Sequence, residues 1–424
     1  MAAPQKAPSA SASQLPVLIP NSENRDWLTP AEVRSLRSST VMSRLKAISG
    51  LVAANAREAE EIRQPVDDVI SAIRKTGLFY LYVPKKFGGR ESDDLTMFLD
   101  SIALIAEGCA STAWCVGFTL SHQCLLANFS EELQQEIWSE TPYVTTAGGG
   151  FPPGRLTKVR GGFRATGRWK FGTGIMHSQW TSSVALLEEA DETKVPYYFF
   201  VPVDQVTVLD SWYVDGMCGT GSHDYEMQGV FVPEYRAMDH RILMRGQLHH
   251  KTLIYRYPLA PFLAPLGVAV MVGAARGAVK TFRERLATGG SGFREKTETK
   301  AAVDNPRIHA ALGQADMQVT AASLMMGEAV AQLERLGVRD EYMSVDDRVR
   351  IRTLCSYAAN QCVSALRVLN DEGGTSAHDL SNPIQRALRD VTMLATHVAY
   401  DYTEAMQLQG RVMSGLPSNN PAFQ

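Results

Sequence analysis

The sequence predicts an α+β protein made of an N-terminal helical domain, a central β-domain and a C-terminal four-helix bundle. Two changes of pattern carry this prediction. Helical periodicity over about residues 29–139 gives way to short β-branched and aromatic runs over about 143–232, and it returns after about residue 248. A chain of 424 residues is longer than one hydrophobic core usually organises, so several packed domains are expected. We predict these boundaries: a disordered lead-in 1–24, domains 25–140, 141–247 and 248–412, and a tail 413–424.

The N-terminal domain is predicted to be helical because polar caps alternate with apolar residues three and four apart, with breakers at Gly77 and over 84–89. The preceding segment MAAPQKAPSASASQLP is rich in Ala, Ser and Pro and lacks the apolar core of a secretory signal. This composition is typical of a disordered segment.

The β-domain begins with a predicted hairpin, in which the runs LTKV and FRATGRWKF flank a connection that contains Gly161-Gly162. The second run ends in GRWKFGTG, residues 167–174. Glycines at Gly172 and Gly174 allow the backbone to approach a flat partner, while Thr173 offers one donor and one acceptor. A turn or a bulge would use the same glycines, and this alternative stays open.

The C-terminal domain contains four predicted long helices, at about 259–287, 306–336, 342–371 and 382–409. The apolar stretch 257–275 contains three prolines and ends at a charged residue, Arg276. This favours a buried bundle helix over a membrane span.

Composition excludes several other functions. A net charge of −3 gives no electrostatic reason to expect nucleic acid or an anionic membrane as a partner. The six cysteines contain no CxxC pair and no zinc spacing, so we expect reduced thiols in a cytoplasm and no metal site. The sequence also lacks a P-loop, a GxGxxG fingerprint, HExxH and GxSxG, which argues against a nicotinamide site and hydrolysis.

Two helical stripes carry candidate chemistry. Trp114, Phe118 and His122 are each four residues apart and should lie along one face of a helix over 111–127. In the last predicted helix, His397 follows Arg386, Asp390 and Met393 on one face. A buried core helix with one hydrogen-bonded histidine, and a polar surface face, are the ordinary alternatives.

Six motifs together resemble the acyl-CoA dehydrogenase fold, over most of residues 30–405. They are CASTAW (109–114), FSEELQQEIW (129–138), GGFRATGRWKFGTG (161–174), GTGSHD (219–224), VFVPEYR (230–236) and SNPIQRALRD (381–390). Many dehydrogenases of this fold carry a glutamate base about nine residues after the arginine that matches Arg389. Here that count reaches Val398, which cannot remove a proton. The chain therefore resembles more closely the oxygenase components of two-component flavin monooxygenases, such as p-hydroxyphenylacetate hydroxylase.

The resemblance implies a mechanism and its cofactors. A separate NAD(P)H-dependent reductase supplies reduced FMN or FAD, which reacts with O2 to a C4a-hydroperoxide that hydroxylates an aromatic, phenolic small molecule. Thr173 matches the position that hydrogen-bonds near flavin N5. Further flavin contacts are expected from Trp114, Phe171 and Gly172, with Trp169 at the same strand end, and from Gly148, where relatives often have serine.

The histidines match active-site positions of that branch. His122 is our candidate to accept or hold the phenol proton, because imidazole titrates near neutrality. His397 is our candidate to hydrogen-bond the flavin adduct or the substrate oxygen, and the two roles could be exchanged. Gly374 matches an element that approaches a neighbouring subunit's flavin, which implies a homotetramer.

Other functions remain open from the sequence. An acyl-CoA dehydrogenase or flavin oxidase could use a displaced base at Asp401 or Glu404. A relative that oxygenates sulfur or nitrogen, or a non-catalytic helical assembly protein with the same fold, would share most of these motifs.

Overall fold

The N-terminal domain is helical in the structure, a computed structural model that describes residues 14–15, 26–188, 193–287, 304–339 and 341–420. Its helices are α1 Pro30–Ser35, α2 Ser38–Ala47, α3 Ser49–Ala54, α4 Ala56–Ile62, α5 Asp67–Lys75, α6 Leu95–Ala106, α7 Ala110–Leu126 and α8 Glu131–Glu140. Several begin at capping side chains, as in α1, where Thr29 and Glu32 form a capping box.

Helix α7 is the central element of the molecule. Nearly all of its residues are buried, and it packs against α6. It also contacts the β-domain and the C-terminal helices. A helix that is apolar on all sides is stable only when it is enclosed by other elements, which explains why all three domains meet here.

The β-domain is one seven-stranded sheet in the order β5-β6-β2-β1-β3-β4-β7. Its strands are β1 Thr146–Val159, β2 Gly162–Gly172, β3 Trp180–Glu188, β4 Lys194–Pro202, β5 Thr207–Val208, β6 His223–Pro233 and β7 Ala237–Asp239. The predicted hairpin is present as the antiparallel pair of β1 and β2, which turns at Arg160 and Gly161. Strands β1 and β3 pair in parallel, which sets Gly148 beside Ser182.

The C-terminal domain is a helical bundle entered through the short α9. Its helices are α9 His240–Arg245, α10 Leu259–Ala287, α11 Pro306–Gly337, α12 Val345–Glu372, α13 Pro383–Ala395 and α14 Tyr402–Met413. Helix α10 is long and apolar enough to cross a membrane, but 89% of its most apolar window is buried inside the protein. It packs against α6, α11 and α12, as a core helix does.

The last predicted helix, 382–409, is wrong as a single element. It breaks after Ala395 into a 3-10 turn at Val398–Tyr400, and α14 begins at Tyr402. Asp401 caps α14 by accepting a hydrogen bond from the backbone N–H of Glu404. His397 therefore lies in the break and not on a continuous helical face with Arg386 and Asp390.

The predicted lead-in 1–24 lies outside the described residues except for Gln14 and Leu15. These two are not disordered: Gln14 bridges to Leu209, and the Leu15 N–H donates to the Val208 carbonyl. Of the predicted tail, residues 421–424 lie outside the described residues.

Candidate active site

Four rings form a row where α7 meets the break after α13. The ring centroids are 5.7 Å apart for His122 and Phe118, 4.9 Å for Phe118 and Trp114, and 6.1 Å for Trp114 and His397. The first three come from the i, i+4 stripe of α7, and the fourth comes from the C-terminal domain. The structure thus sets the two imidazoles at opposite ends of one aromatic wall.

Strand β1 faces the His122 end of this row at Gly148. A Cβ atom at Gly148 would lie 3.3 Å from His122 Nε2 and 3.6 Å from a Phe118 ring carbon. A side chain here would crowd the imidazole, so the glycine leaves room beside it.

The hydrogen bonds of His122 determine its tautomer. Nδ1 lies 2.6 Å from the Phe118 carbonyl, which only accepts, so Nδ1 carries the proton. In the neutral ring, Nε2 is then the acceptor, and the Ser182 hydroxyl lies 3.0 Å from it. The Tyr198 hydroxyl donates to Ser182 from 3.0 Å. Ser182 has a second acceptor in the Ala147 carbonyl at 3.4 Å.

Burial keeps His122 neutral. The loss of solvation lowers the pKa of its imidazole to about 4, although the hydrogen bond to the Phe118 carbonyl favours the charged form. Near neutral pH the ring therefore offers a lone pair in a largely apolar setting.

His397 has the complementary tautomer. Its Nδ1 accepts from the Ala399 N–H at 3.2 Å, so the neutral ring carries its proton on Nε2. The side chain remains accessible to solvent, but the surrounding protein removes part of its solvation and so lowers the pKa of the imidazole. His397 therefore presents a donor where His122 presents an acceptor.

Thr173 directly follows β2, faces the side of α7 that carries Cys115 and Thr119, and is not part of the ring row. With Cys115, Thr119 and Thr146 it lines a cavity of about 30 Å³. Its hydroxyl lies 3.1 Å from that of Ser222. The strand end that carries Thr173 thus reaches the helix residue next to Trp114.

Local backbone geometry explains why glycine stands on either side of Thr173. A Cβ at Gly172 would lie 2.9 Å from the His223 carbonyl of β6, and the β2–β6 ladder is irregular between Trp169 and Gly172. Gly174 has φ +67°, which favours glycine. The geometry fits a bulge at Gly172, and the expected flavin contact of Gly172 stays a prediction.

The two aromatic residues of this strand end differ in exposure. Trp169 is fully buried in the core of the β-domain, where it stacks on Tyr225 at 5.7 Å. The expectation that Trp169 helps to enclose a cofactor is wrong. Phe171 is 57% exposed, with its ring 6.0 Å from that of Trp212, and it is available for contact with a ligand.

Gly374 begins the 3-10 turn Gly374–His378 after α12, and this turn contacts α12 and α13. Its predicted contact with a neighbouring subunit's flavin stays a prediction.

The carboxylates of the alternative dehydrogenase are already engaged. The Asp401 side chain caps α14. Glu404 pairs with Arg352 at 2.5 Å and accepts from the Asn420 amide. Val398, at the position of the usual glutamate, is exposed and carries no acid–base group.

Sequence reasoning missed the polar partners of the site. Ser182, Tyr198, Thr220 and Ser222 are buried and hydrogen-bonded to the predicted residues or to one another. The motif GTGSHD contained two of them, but nothing local marks which serine meets Thr173 from 49 residues away.

Comparisons with known proteins show the family. Residues 266–402 match the family model described as "Acyl-CoA dehydrogenase, C-terminal domain". A pigment production hydroxylase of Rhodococcus sp. is 33% identical over 90% of this chain and 98% of the relative. The oxygenase component of an FADH2-dependent resorcinol hydroxylase of Rhizobium sp. is 31% identical over 89% of this chain and 94% of the relative. The solved structure of XiaF from Streptomyces sp. with FADH2 and glycerol superposes with a TM-score of 0.84 at 26% identity, covering 92% of this chain and 98% of that one.

Proposed function

This chain belongs to the oxygenase components of two-component flavin-dependent hydroxylases with the acyl-CoA dehydrogenase fold, and on that premise we propose that it hydroxylates an aromatic, phenolic small molecule. A separate NAD(P)H-dependent reductase would supply the reduced flavin, either FMN or FAD. The carrying observation is the row of rings that ends in two imidazoles of opposite hydrogen-bonding sense.

The residues at the site fit a flavin ring. Trp114 and Phe118 supply an apolar wall in which the two rings are inclined at 60° to each other. An exposed aromatic residue, Phe171, stands at the strand end close to Thr173. Trp114 and Thr173 are the residues that we assign to hold the ring system. When bound, reduced flavin supplies the electrons that activate dioxygen.

His122 is suited to hold the phenol proton. Ser182 can turn its hydrogen from His122 Nε2 to the Ala147 carbonyl, 3.4 Å away. This rotation would leave the Nε2 lone pair to a phenol O–H. Since burial lowers the pKa of the imidazole, the ring favours a shared hydrogen bond over complete proton transfer in the resting site. Electron density then increases at the phenol oxygen and on its ring carbons.

His397 is suited to donate. Its Nε2–H can bond to an oxygen atom bound at the other end of the row, because Nδ1 is held by the Ala399 N–H. This assignment gives the two histidines separate roles, which the sequence left exchangeable.

Rapid mixing tests the function. The protein is incubated anaerobically with reduced FMN or FAD and mixed with oxygenated buffer, with and without simple phenols. We expect a transient absorbance band that belongs to neither reduced nor oxidised flavin, and a hydroxylated product when a suitable phenol is present. Direct reoxidation at the rate of free flavin, with every phenol tried, would refute the proposal.

We also propose a homotetramer. Helix α11 exposes a stripe of small and apolar residues three and four apart, and this stripe faces away from its own bundle. Met317 is 59% exposed and Leu324 is 70% exposed, while Gly313 and Gly327 have open space beside them. A continuous stripe of this kind supports packing against another copy of the chain.

We propose a cytoplasmic location because the cysteine thiols are unpaired. All six cysteines are unpaired, and five of them are buried. Unpaired buried thiols suit a reducing compartment.

A further inference from the structure

We propose that Ser222 and Thr220 fix the proton of the Thr173 hydroxyl inside the protein, so that the Thr173 oxygen meets the flavin as an acceptor and the site prefers reduced over oxidised flavin. This inference rests on the proposed function, in which Thr173 helps to hold the flavin ring, and on the family resemblance, which implies that Thr173 lies near flavin N5. Its new content is the assignment of two positioning residues, Ser222 and Thr220, to the preference for reduced flavin.

The hydroxyls of Thr173, Ser222 and Thr220 form a buried series of hydrogen bonds, the hydroxyl chain. Thr173 Oγ1 lies 3.1 Å from Ser222 Oγ, which lies 2.8 Å from Thr220 Oγ1. Thr220 Oγ1 lies 2.8 Å from the Met217 carbonyl oxygen. All three side chains are at most 5% exposed. Among the residues that the structure describes, these hydroxyls show no other hydrogen-bond partners, so the hydroxyl chain is unbranched.

The direction of the protons follows from the end of the chain. A carbonyl oxygen only accepts, so Thr220 must donate to Met217. Thr220 has no second proton, so Ser222 donates to Thr220, and Thr173 in turn donates to Ser222. The capacity that remains on Thr173 Oγ1 is its two lone pairs, which can only accept.

The Met217 peptide anchors this direction. Its carbonyl also accepts from the Thr220 N–H at 3.1 Å and from Trp212 Nε1 at 3.2 Å. Its N–H donates to the buried Asp390 carboxyl at 2.5 Å. A peptide bonded at both ends is polarised, which strengthens its carbonyl as an acceptor. Reversing the hydroxyl chain would leave the Met217 carbonyl with its two N–H donors but would break the bond from Thr220 Oγ1, which at 2.8 Å is the shortest of the three.

An acceptor at Thr173 discriminates between flavin redox states. Reduced flavin carries a hydrogen on N5, whereas N5 of oxidised flavin is a lone pair. Thr173 therefore bonds to the reduced form directly, but it must break its bond to Ser222 to donate to the oxidised form. The difference of one hydrogen bond predicts an affinity ratio of about tenfold in favour of reduced flavin.

Variants of the chain separate this role from packing. Ser222→Ala removes the acceptor for the Thr173 proton, and Thr220→Val removes the hydroxyl that holds the Ser222 proton. In Ser222→Ala the Thr173 proton loses its acceptor and is free to face the ligand. In Thr220→Val, Ser222 can turn its own proton towards Thr173, and this reversal frees the Thr173 proton for the ligand. Thr220→Ser keeps the hydroxyl and serves as the matched control. Damage to packing weakens the binding of oxidised and reduced flavin together, because the two have nearly the same shape. It therefore leaves the ratio of their dissociation constants unchanged.

The experiment is an anaerobic titration of FMN and of FAD, oxidised and dithionite-reduced, with each protein. We expect the ratio of the dissociation constants, oxidised to reduced, to fall about tenfold in Ser222→Ala and Thr220→Val and to stay within twofold of wild type in Thr220→Ser. An unchanged ratio in both hydroxyl-free variants, or an equal fall in Thr220→Ser, would overturn the inference. If wild-type protein binds neither reduced flavin, the proposed function itself fails, and this result is distinct from a ratio that does not move. If Ser222→Ala does not fold, Thr220→Val carries the same comparison.

Discussion

The two histidines of the site are distinguished by which ring nitrogen the protein occupies. The Phe118 carbonyl requires a proton on Nδ1 of His122, and the Ala399 N–H requires a lone pair on Nδ1 of His397. Both rings have lowered pKa values. One neutral acceptor and one neutral donor therefore face the same aromatic row, which neither residue type nor sequence spacing specifies.

His122 should make stability depend on pH. Its folded pKa of about 4 lies below the value of 6.5 for an unfolded histidine, so between these values the unfolded chain binds a proton that the folded chain does not. The stabilisation is fully present above pH 6.5 and is lost as the pH falls towards 4, by about 3 kcal/mol. His122→Asn, which does not titrate, should show a flatter profile of unfolding free energy in urea between pH 7.5 and 4.5. His378→Asn, at an exposed histidine, is the control and should keep the wild-type slope.

His122 should also control coupling. His122→Ala removes the acceptor for the phenol proton but leaves Trp114 and Thr173 in place, so the reaction of reduced flavin with oxygen should continue. We expect hydroxylated product per reduced flavin consumed to fall at least tenfold, on the order of the 10²–10⁴ that a positioned acid–base group contributes. Product chromatography against oxygen consumption measures this ratio. Unchanged coupling would remove His122 from the reaction.

At the scale of elements, local periodicity predicted what lies within one helix. The stripe of Trp114, Phe118 and His122 follows from the 3.6-residue period, and α7 sets these rings in a row. The break after α13 was missed because THVAYD contains neither Gly nor Pro. The signal was present in DYTE, where Asp401 precedes Glu404 by three residues, as at a helix start. The Thr173–Ser222 contact joins distant segments, and no local pattern encodes it.

Helix α13 is fastened to the loop before β6 by two side chains. Asp390 accepts from the Met217 N–H, and Arg389 donates to the Asp215 carbonyl at 2.5 Å. A Cβ at Gly216 would lie 2.4 Å from the Arg389 carbonyl, so the loop and the helix are in direct backbone contact. This attachment joins the C-terminal domain to the end of the hydroxyl chain.

Asp390 should oppose His122 in its effect on pH dependence. Burial raises the pKa of its carboxyl to about 6, from 3.8, so its contribution to stability is present at low pH and is lost as the pH rises through 6. Asp390→Asn keeps an acceptor for the Met217 N–H without the charge. Relative to wild type it should gain on the order of 3 kcal/mol of unfolding free energy between pH 4 and pH 7.5.

Asp390→Ala is the companion variant. It leaves the Met217 N–H without its partner and should lose about 1–3 kcal/mol relative to Asp390→Asn at every pH. Urea unfolding across this pH range measures both. A constant difference between wild type and Asp390→Asn would show that the carboxyl does not titrate there.

At the scale of the whole molecule, the site exists only where three domains meet. α7 supplies Trp114 and His122, the β-domain supplies Gly148 and Thr173, and the break after α13 supplies His397. The predicted fold and its family are confirmed by the relatives and their structures. The order of domains could be predicted because each domain has its own periodicity. The polar contacts between the domains could not, because they depend on long-range packing.

The last prediction concerns assembly and rests on the exposed stripe of α11. Met317 and Leu324 are large apolar side chains exposed on the same face of α11, and in a tetramer their burial would contribute about 1.5–3 kcal/mol each. Leu324→Glu places a charge in the middle of the stripe and should convert a tetramer into smaller species, as measured by light scattering on a sizing column. Gln314→Glu introduces the same charge on an exposed position of α11 outside the stripe and should leave the mass unchanged. A wild-type protein that elutes as a monomer, or a Leu324→Glu protein that stays tetrameric, would show that this face does not join the subunits.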